Sequence, residues 1–593
     1  MKIYYSADEA ENVVNVEFDE VDLKQGIENL VKYIIESAKI HKTNRKRACF
    51  FALDGYLGIE WERILKPLEE LSEVEDLKMK TMDFSQCYKS LDKIAQKCLS
   101  KEKSFGYVYS GKIIDVLDKR SVKRLKKDAE KLGKTLDLLV IFGPGTAIPL
   151  LRRLYDQIFY FDITRESLFN ASLVRPIYFL GSKNRGQLLN QNFRRFYYVD
   201  SQILDKHKRR VLKYMDWYVE CNNVNEIKMI SRRLYYKILS KLAEKPFRIK
   251  PLYYPVVWGG NFLKKIKRLP EEMPNSGQAC IVPDENSVKI RLGNVLLEIP
   301  FQNVLWANRK KILGEYVDRK FNGAFPFVYW YDDQIDGGHM AIQVHPNGKY
   351  LKKHFNERQI RQDESYYIIS TGPGAKTYLG LQDDADVKEF YMKARESERT
   401  GKRFDYEKYV NYIWTKPGDY FLIPAGTVHA SGRNQFVLEI DFEICAYSPG
   451  YTFHIYDYVR PDLDGSLRPI HLKHAFNVLK KNRRRKWVLA NLAQQPKLLR
   501  SGDGWAEYLI GKRRDICFET RRLEFSKMIE DNTNGRFHLL TLVEGEKVLV
   551  KPKKGEGYVL EFPDTLIVSS CVGEYMIENL GEGMCKVVKA LIP

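Results

Sequence analysis

The chain has 593 residues, too many for a single hydrophobic core, so we expect about two to four domains. A hydrophobic content of 44% with 13% aromatic residues excludes a disordered chain, and no apolar run reaches the roughly 18 residues that a membrane helix needs. The formal net charge is +20, from 97 Lys and Arg against 77 Asp and Glu.

The basic residues form dispersed clusters at 119–134, 205–210, 263–268 and 480–486. They fit a nucleic-acid surface, attraction of a small phosphate, or a solvated Lys-rich surface. No recognised nucleic-acid motif accompanies them, so we favour the solvated surface and expect no nucleic-acid partner. The start of the chain has no apolar signal core, and nine cysteines show no CxxC pair. We therefore expect reduced thiols in a cytoplasmic protein without a membrane association.

Strand-like and helix-like segments alternate through the first 200 residues. Residues 47–59, 136–149 and 156–164 are apolar strand candidates, and 61–73 carries apolar positions at helical spacing. This alternation predicts a parallel α/β sheet for residues 1–200.

The order FALDG, IFGPG, IFYFDITRE faintly resembles uridine-kinase-like nucleoside kinases, which carry a phosphate-binding loop. Such a loop needs a Lys that reaches the phosphates and a Ser or Thr for Mg²⁺. The turn here reads DGYLGIEWE and has neither. We therefore predict a degenerate P-loop-like domain that binds no nucleotide cofactor for catalysis.

Residues 201–245 are predicted as a helical connection, which Pro246 ends. Short β runs separated by turns then predict antiparallel barrels. The first barrel covers 246–470, with a helical insert at 383–413, and a helix plus a second barrel without metal covers 471–593. The predicted fold class is thus multidomain, α/β followed by two β-barrels.

Two runs in the first barrel, 336–369 and 417–430, place one Gln, two His and one Glu within reach of a single divalent metal. Gln343 and His345 are two apart on a strand and so face the same side. Glu364 lies in another β-rich run, and His429 follows a PAGT turn. Imidazole and carboxylate ligands suit zinc or a similar metal, and an amide oxygen can fill a fourth position.

At these residues the chain resembles class I phosphomannose isomerases, which are zinc-dependent cupins. The shared motifs are QVHP, the Glu of ESYYII, PAGTVHA, YYPVVWGGNF, PGAKTYLGL, FVLEI and IYDYVR, in the family's order across about 246–593. The resemblance implies a bicupin fold and one zinc ion per chain, held by Gln343, His345, Glu364 and His429. It also implies isomerisation of mannose 6-phosphate and fructose 6-phosphate through a cis-enediol, with proton transfer by a base and charge stabilisation by a cation.

Glu439 stands where the family places a carboxylate close to the metal, and is the candidate proton carrier. Arg460 keeps the family's Y-D-[YW]-x-R pattern and is a candidate catalytic cation. His454 aligns with an Arg that the family uses in catalysis, and could act as an acid or base near neutral pH. It could equally be a packed strand residue, and Glu439 a structural carboxylate.

Three positions depart from the family pattern. Ala341 replaces a Ser and Gln362 replaces a Lys, in addition to the His454 replacement. Losing two cations and a hydroxyl is not a conservative change for a phosphate site. Charge for the site could come from four other residues: Arg460, Lys376, Arg433 and His339.

Two hypotheses follow from this pattern. The intact ligand set favours a zinc-dependent mannose-6-phosphate isomerase that acts on a small sugar phosphate. The three replacements favour a metal-binding cupin with lost or altered activity that serves as a sugar-binding or regulatory protein. The oligomeric state, the true sugar and the purpose of residues 1–245 stay open.

Overall fold

A computed structural model of the protein describes residues 2–7, 10–44, 47–101, 103–357, 362–444 and 450–593. The chain divides into two compact units. The α/β unit comprises Val13–Lys241 and Ser287–Ala307, and the β-rich unit comprises the described residues of Met1–Asn12, Leu242–Asn286 and Asn308–Pro593. Residues 445–449, part of the long loop after FVLEI, lie outside the described residues. No described helix has the length and apolar character needed to cross a membrane.

The α/β unit is built on a seven-stranded sheet, which agrees with the alternation in the sequence. In spatial order its strands are Leu23–Gln25, Lys228–Ser231, Trp217–Glu220, Gln157–Asp162, Cys49–Gly55, Leu138–Phe142 and Met79–Asp83. The last five are parallel, and the first two pair antiparallel. Every residue of the central strand Cys49–Gly55 is buried, as expected for a parallel strand covered on both faces.

Helices connect these strands, and two short segments outside the sheet pair with each other. The α-helices are Ile27–Asn44, Trp61–Val74, Asp92–Leu99, Lys119–Leu132, Pro149–Arg152, Arg165–Val174, Asn190–Arg195, Ser201–Val211 and Arg232–Ala243. The 3₁₀-helices are Glu20–Asp22, Phe84–Cys87, Ile113–Asp115 and Val224–Glu226, with a π-helix at Phe196–Asp200. The small pair is Ile177–Tyr178 with Arg185–Gly186, and strand Glu11–Val13 contains the sequence boundary between the units.

Two sequence predictions need correction here. Residues 201–245 are not only helical, because Trp217–Glu220 and Lys228–Ser231 are strands of the main sheet. The run WYVE has only four residues, too short for its periodicity to separate a buried strand from a helix segment.

The second correction concerns the hairpin Ser287–Leu292 and Val295–Pro300, which the sequence pattern placed in the first barrel. It belongs to the α/β unit, where the Asn222 side-chain amide donates to the Glu298 carbonyl at 3.0 Å. Alternating apolar residues predict a hairpin but do not specify which layer covers its apolar face.

The first part of the β-rich unit contains a seven-stranded and a five-stranded antiparallel sheet. In spatial order the first sheet is Leu252–Tyr254, Gln278–Ile281, Phe327–Asp333, Gln435–Phe442, Asp363–Thr371, Tyr420–Ile423 and Ala493–Gln494. The second is Val410–Trp414, Lys376–Leu381, His429–Ser431, Ile342–Val344 and Phe453–Tyr456. Helix Val387–Thr400 lies within the helical insert predicted at 383–413, but the end of that range belongs to strand Val410–Trp414.

The remaining α-helices of this unit are short. They are Phe262–Ile266, Glu315–Lys320, Gly348–Phe355, Leu472–Val478 and Arg485–Asn491, with a 3₁₀-helix at Ser570–Val572. The helix Phe301–Leu313 is kinked at Asn308, where the division between the units falls. Leu472–Val478 confirms the helix predicted after the first barrel.

The last part of the chain forms a six-stranded and a four-stranded antiparallel sheet. The first is Lys497–Gly502, Trp505–Lys512, Glu519–Phe525, Cys585–Leu591, His538–Glu544 and Thr565–Val568, and the second is Met528–Asn532, Glu574–Asn579, Lys547–Pro552 and Tyr558–Glu561. Apolar side chains of both sheets form one core. Lys589 is 1% exposed, with its Nζ 2.8 Å from Glu507 and 2.5 Å from Asp531. That this second sheet pair is a cupin barrel stays a prediction.

Candidate metal centre

The four predicted metal ligands come from the seven-stranded and five-stranded sheets of the β-rich unit. Gln343 and His429 are direct partners on neighbouring strands of the five-stranded sheet, and His345 follows the first of these strands. Glu364 is the second residue of Asp363–Thr371 in the seven-stranded sheet. All four are buried, between 0% and 6% exposed.

Each of the four ligand groups already lies at hydrogen-bonding distance from another of them. The Glu364 carboxylate has Oε1 at 2.5 Å from His345 Nε2 and Oε2 at 3.0 Å from His429 Nε2. The Gln343 amide nitrogen lies 3.4 Å from His429 Nε2. Because the two ends of an amide are assigned from their surroundings, a rotated Gln343 amide would present its oxygen to the same point.

Both histidines are oriented by their other ring nitrogen. His345 Nδ1 lies 3.2 Å from the carbonyl oxygen of Tyr451, and His429 Nδ1 lies 2.9 Å from that of Thr427. A carbonyl accepts only from Nδ1–H, so in its neutral form each imidazole has its Nε2 lone pair directed at the centre. Backbone orientation of this kind is typical of metal-binding histidines.

The charges at the centre also suit a cation. Burial acts to raise the pKa of Glu364, but the two histidines lower that pKa to about 2. Burial acts to lower the pKa of His345, and the Glu364 carboxylate raises it overall. The site thus holds an ionised carboxylate and attracts protons to imidazole, and a divalent ion could replace those protons. Two imidazoles, a carboxylate and an amide fit a borderline metal such as zinc.

A second group of carboxyls lies beside Glu364 on the same sheet. Asp441 is the strand partner of Glu364, and Glu439 is the partner of Tyr366 and Trp330. Burial and neighbouring carboxylates raise the pKa of Glu439 and of Asp441 well above the usual range. Asp441 accepts a hydrogen bond from Trp330 Nε1 at 3.0 Å. A carboxyl of raised pKa next to a candidate metal centre is suited to carrying a proton.

The three departures from the family pattern lie close to this centre. Gln362, 5% exposed, donates through Nε2 to Glu364 Oε1 at 3.2 Å and so orients a predicted ligand. Ala341 is fully buried, and nothing in the structure explains its replacement of a Ser. His454 pairs directly with Gln343 across the two strands, so both side chains lie on the same face of the sheet.

The ring nitrogens of His454 are both engaged. Nδ1 lies 3.2 Å from the carbonyl oxygen of Pro469, and Nε2 lies 3.2 Å from a terminal nitrogen of Arg468. Burial, Arg468 and His471 lower the pKa of His454 well below its usual value. Arg468 was not found from the sequence, because it lies in an irregular segment outside every family motif.

Asp457 joins Arg468 to the predicted cation Arg460. Its Oδ1 accepts from Arg460 Nη2 at 2.6 Å, and its Oδ2 lies 3.2 Å from Arg468 Nη1. The two residues between Asp457 and Arg460 have positive φ, 58° at Tyr458 and 51° at Val459. For a β-branched residue this conformation is strained, at about 1–3 kcal/mol, and such strain is often found at functional sites.

The other predicted sources of positive charge gather around His339. Burial, with the charges of Lys376, Arg433 and Arg460, lowers the pKa of His339 to about 4. The His339 Nδ1 accepts from the backbone N–H of Arg433 at 3.1 Å. Residues 339 and 433 each lie four positions along the chain from a predicted ligand, Gln343 and His429 respectively. We call Lys376, Arg433 and Arg460 the cationic rim.

In the α/β unit, the turn at residues 54–62 resembles a phosphate-binding loop in sequence, but its Asp54 carboxylate makes hydrogen bonds within the protein. Asp54 is fully buried, and its carboxylate accepts from the backbone N–H groups of Gly55, Gly145 and Ala147 at 2.7–2.9 Å. His207 Nε2 lies 2.7 Å from the same carboxylate. These contacts give Asp54 a structural role between neighbouring strand ends.

Comparisons with known proteins match different parts of the chain to different families. The family model described as "Domain of unknown function (DUF8485)" matches residues 26–244 and gives no support to a nucleoside-kinase likeness. A mannose-6-phosphate isomerase of Streptococcus mutans is 28% identical over 236 residues, covering 40% of this chain and 68% of the relative. Mannose-6-phosphate isomerase ManA of Bacillus subtilis is 25% identical over 241 residues, covering 40% of this chain and 69% of the relative.

Among solved structures, the mannose 6-phosphate isomerase of Bacillus subtilis covers 58% of this chain and 99% of its own, with 20% sequence identity and a TM-score of 0.46. A putative mannosephosphate isomerase of Archaeoglobus fulgidus covers 58% of this chain and 96% of its own, with 17% identity and a TM-score of 0.43. The sequence relatives therefore extend over part of the chain, and residues 26–244 match a separate family.

Proposed function

We propose that the protein is a zinc-dependent aldose–ketose isomerase that interconverts mannose 6-phosphate and fructose 6-phosphate. The observation that carries the proposal is the convergence of His345, Glu364 and His429, with both imidazole Nε2 atoms directed at one carboxylate. Relatives named mannose-6-phosphate isomerase, at 25–28% identity, support the same conclusion. We also propose the bicupin arrangement and a cytoplasmic location, as the sequence predicts.

In this proposal Gln343, His345, Glu364 and His429 hold the ion, and Gln362 orients the carboxylate ligand. A divalent ion, when bound, supplies positive charge that polarises the sugar carbonyl and favours the enediol form. The protein's own residues do the rest: they place the sugar, exclude water from the buried centre, and move one proton between two carbon atoms.

Glu439 is the proposed proton carrier. Its ionised carboxylate takes the proton from C2 of the open-chain aldose and returns it to C1, while a second proton moves between the two oxygens. Atoms and electrons balance without an oxidant, because the reaction is an internal transfer. The environment that raises the pKa of Glu439 also makes its ionised form a stronger base.

The cationic rim is the proposed site of the phosphate. Lys376, Arg433 and Arg460 act together on His339, so they share one region of the barrel. A phosphate dianion is attracted by such a group of charges, and Arg can contact it with two nitrogens. The rim would thereby compensate for the positive charge lost at residue 362.

The direct test is turnover of mannose 6-phosphate by the purified protein before and after chelator, with zinc restored afterwards. We expect turnover to require the metal, and His345→Ala to lose both metal and turnover. His354→Ala is the matched control, because His354 lies on helix Gly348–Phe355 and is not a predicted ligand. Equal metal content in His345→Ala and wild type would remove the ligand assignment.

The alternative is a metal-binding cupin with altered or lost activity, which the residues at 341, 362 and 454 favour. Exchange of the C2 proton with deuterated water separates the two. A wild-type protein that contains one equivalent of zinc, yet exchanges this proton in none of the hexose or pentose phosphates, would be the altered cupin.

A further inference from the structure

Arg468 brings a positive charge to the row of residues that contains the metal ligands. Across the five-stranded sheet, His429, Gln343 and His454 are successive partners on three neighbouring strands. Directly paired residues project to the same face, so these three side chains form one row. The Arg468 guanidinium reaches this row from a loop, with Nη2 at 3.2 Å from His454 Nε2.

The position of this guanidinium is fixed from two sides. His454 donates from Nδ1 to the Pro469 carbonyl, which leaves Nε2 as the acceptor for Arg468. The Asp457 carboxylate, 5% exposed, holds Arg468 Nη1 at 3.2 Å. A third carboxylate, that of Asp462, lies 3.9 Å from Arg468 Nε. An arginine has five N–H donors in a planar group, and these three contacts leave others for a ligand.

Asp457 therefore contacts the guanidinium groups of two arginines, which lie in different parts of the site. Arg460 belongs to the cationic rim around His339. Arg468 instead lies at His454, which pairs with the ligand Gln343 itself. The first arginine is placed for the phosphate end of a substrate and the second for the end that reacts.

We propose that Arg468 is the cation that stabilises negative charge developing on the sugar oxygens during proton transfer, and that His454 is its positioning residue. This inference rests on the proposed function. In it His454 moves no proton, because both of its ring nitrogens are committed to orienting Arg468. Preorganised donors directed at developing charge are worth about 10²–10³ in turnover.

Two ligands separate this role from simple phosphate binding. One is a hydroxamate of a sugar-acid phosphate, whose ionised head imitates the charge of an enediolate. The other is the matching sugar-alcohol phosphate, which carries the same phosphate but no charge at the reacting end. Titration calorimetry on the zinc-loaded protein would measure the dissociation constants of both.

We expect Arg468→Ala to weaken hydroxamate binding about 100-fold and to leave alcohol-phosphate binding within about twofold. Arg460→Ala is the matched control, because it loses the same Asp457 partner, and it should weaken both ligands by the same factor. Arg468→Lys keeps the charge without the planar fork and should fall between wild type and Arg468→Ala. Zinc content should be unchanged in all three, and thermal unfolding should show that each variant is still folded.

The role of His454 is tested by His454→Gln, which retains an oxygen acceptor, and His454→Leu, which does not. Hydroxamate affinity should be largely preserved in the first and reduced toward that of Arg468→Ala in the second. Arg468→Ala weakening both ligands equally would overturn the proposal, as would a wild type that binds the hydroxamate no more tightly than the alcohol. Absence of turnover in wild type would instead refute the proposed function, and the comparison of ligands would still decide the role of Arg468.

Discussion

Replacing Glu364 by Gln is the sharpest test of the metal centre, because it removes one negative charge and keeps the shape of the side chain. Glu364 is 1% exposed, and its two oxygens lie 2.5 Å and 3.0 Å from the histidine Nε2 atoms. Loss of an outer-shell partner lowers metal affinity about 10–100-fold, so a charged direct ligand should lower it by at least about 100-fold.

This loss of affinity has a measurable consequence for stability. At free zinc 100 times the wild-type dissociation constant, binding stabilises the folded protein by about 2.7 kcal/mol. A variant with 100-fold weaker binding gains only about 0.4 kcal/mol at the same zinc concentration. Competition with a chromophoric chelator gives the affinities, and thermal unfolding with and without zinc gives the stabilisation.

The control for this prediction is Glu389→Gln, the same chemical change at a side chain that is 39% exposed on helix Val387–Thr400. It should leave zinc affinity and the zinc-dependent stabilisation unchanged. If Glu364→Gln binds zinc as tightly as wild type, Glu364 is not a ligand and the proposed centre is incorrect.

Three further predictions concern stability and the α/β unit. Lys589→Met should reduce the free energy of unfolding by about 3–5 kcal/mol in urea titrations, because two carboxylates lose their buried cation. Burial raises the pKa of Asp200 to about 6 from an ordinary 3.8, so its contribution to stability is complete below about pH 4 and is lost as pH rises through 6. The two pKa values imply about 3 kcal/mol, and unfolding of Asp200→Asn at several pH values should lack this slope. The protein should release no phosphate from ATP, since the Asp54 carboxylate is occupied by backbone donors; robust release abolished by Asp54→Ala would contradict this.

The candidate metal ligands were proposed from the sequence because they lie in local patterns. Gln343 and His345 alternate on one strand, and His429 follows a turn whose sequence is distinctive. The strand pairing that opposes Gln343 to His429 was not needed for the prediction, yet it is what brings the groups together. The local sequence patterns and the pairing of distant strands therefore point to the same group of residues.

The sequence was less informative where the result depends on partners far along the chain. The hairpin at 287–300 has the alternation of a barrel strand pair, but nothing in that alternation says that it joins the α/β unit. The strand Trp217–Glu220 is too short for its period to be recognised between two helices. Arg468 stands 14 positions after His454 in a loop, and a charged loop residue has no pattern that separates it from solvated neighbours.

A comparison of motifs suggests that the replacements at 362 and 454 remove positive charge from the site, but the structure shows which other residues lie there. A strand position that lacks a cation loses that charge only if no other segment can bring one to the same place. Gln362 still donates to the Glu364 carboxylate, although without charge. At 454 a histidine accepts from an arginine supplied by the following loop, so positive charge is present beside Gln343 despite the missing strand residue. An arginine placed at 454 would repel Arg468 at close range, because two guanidinium groups would then compete for the space that one imidazole and one guanidinium now share.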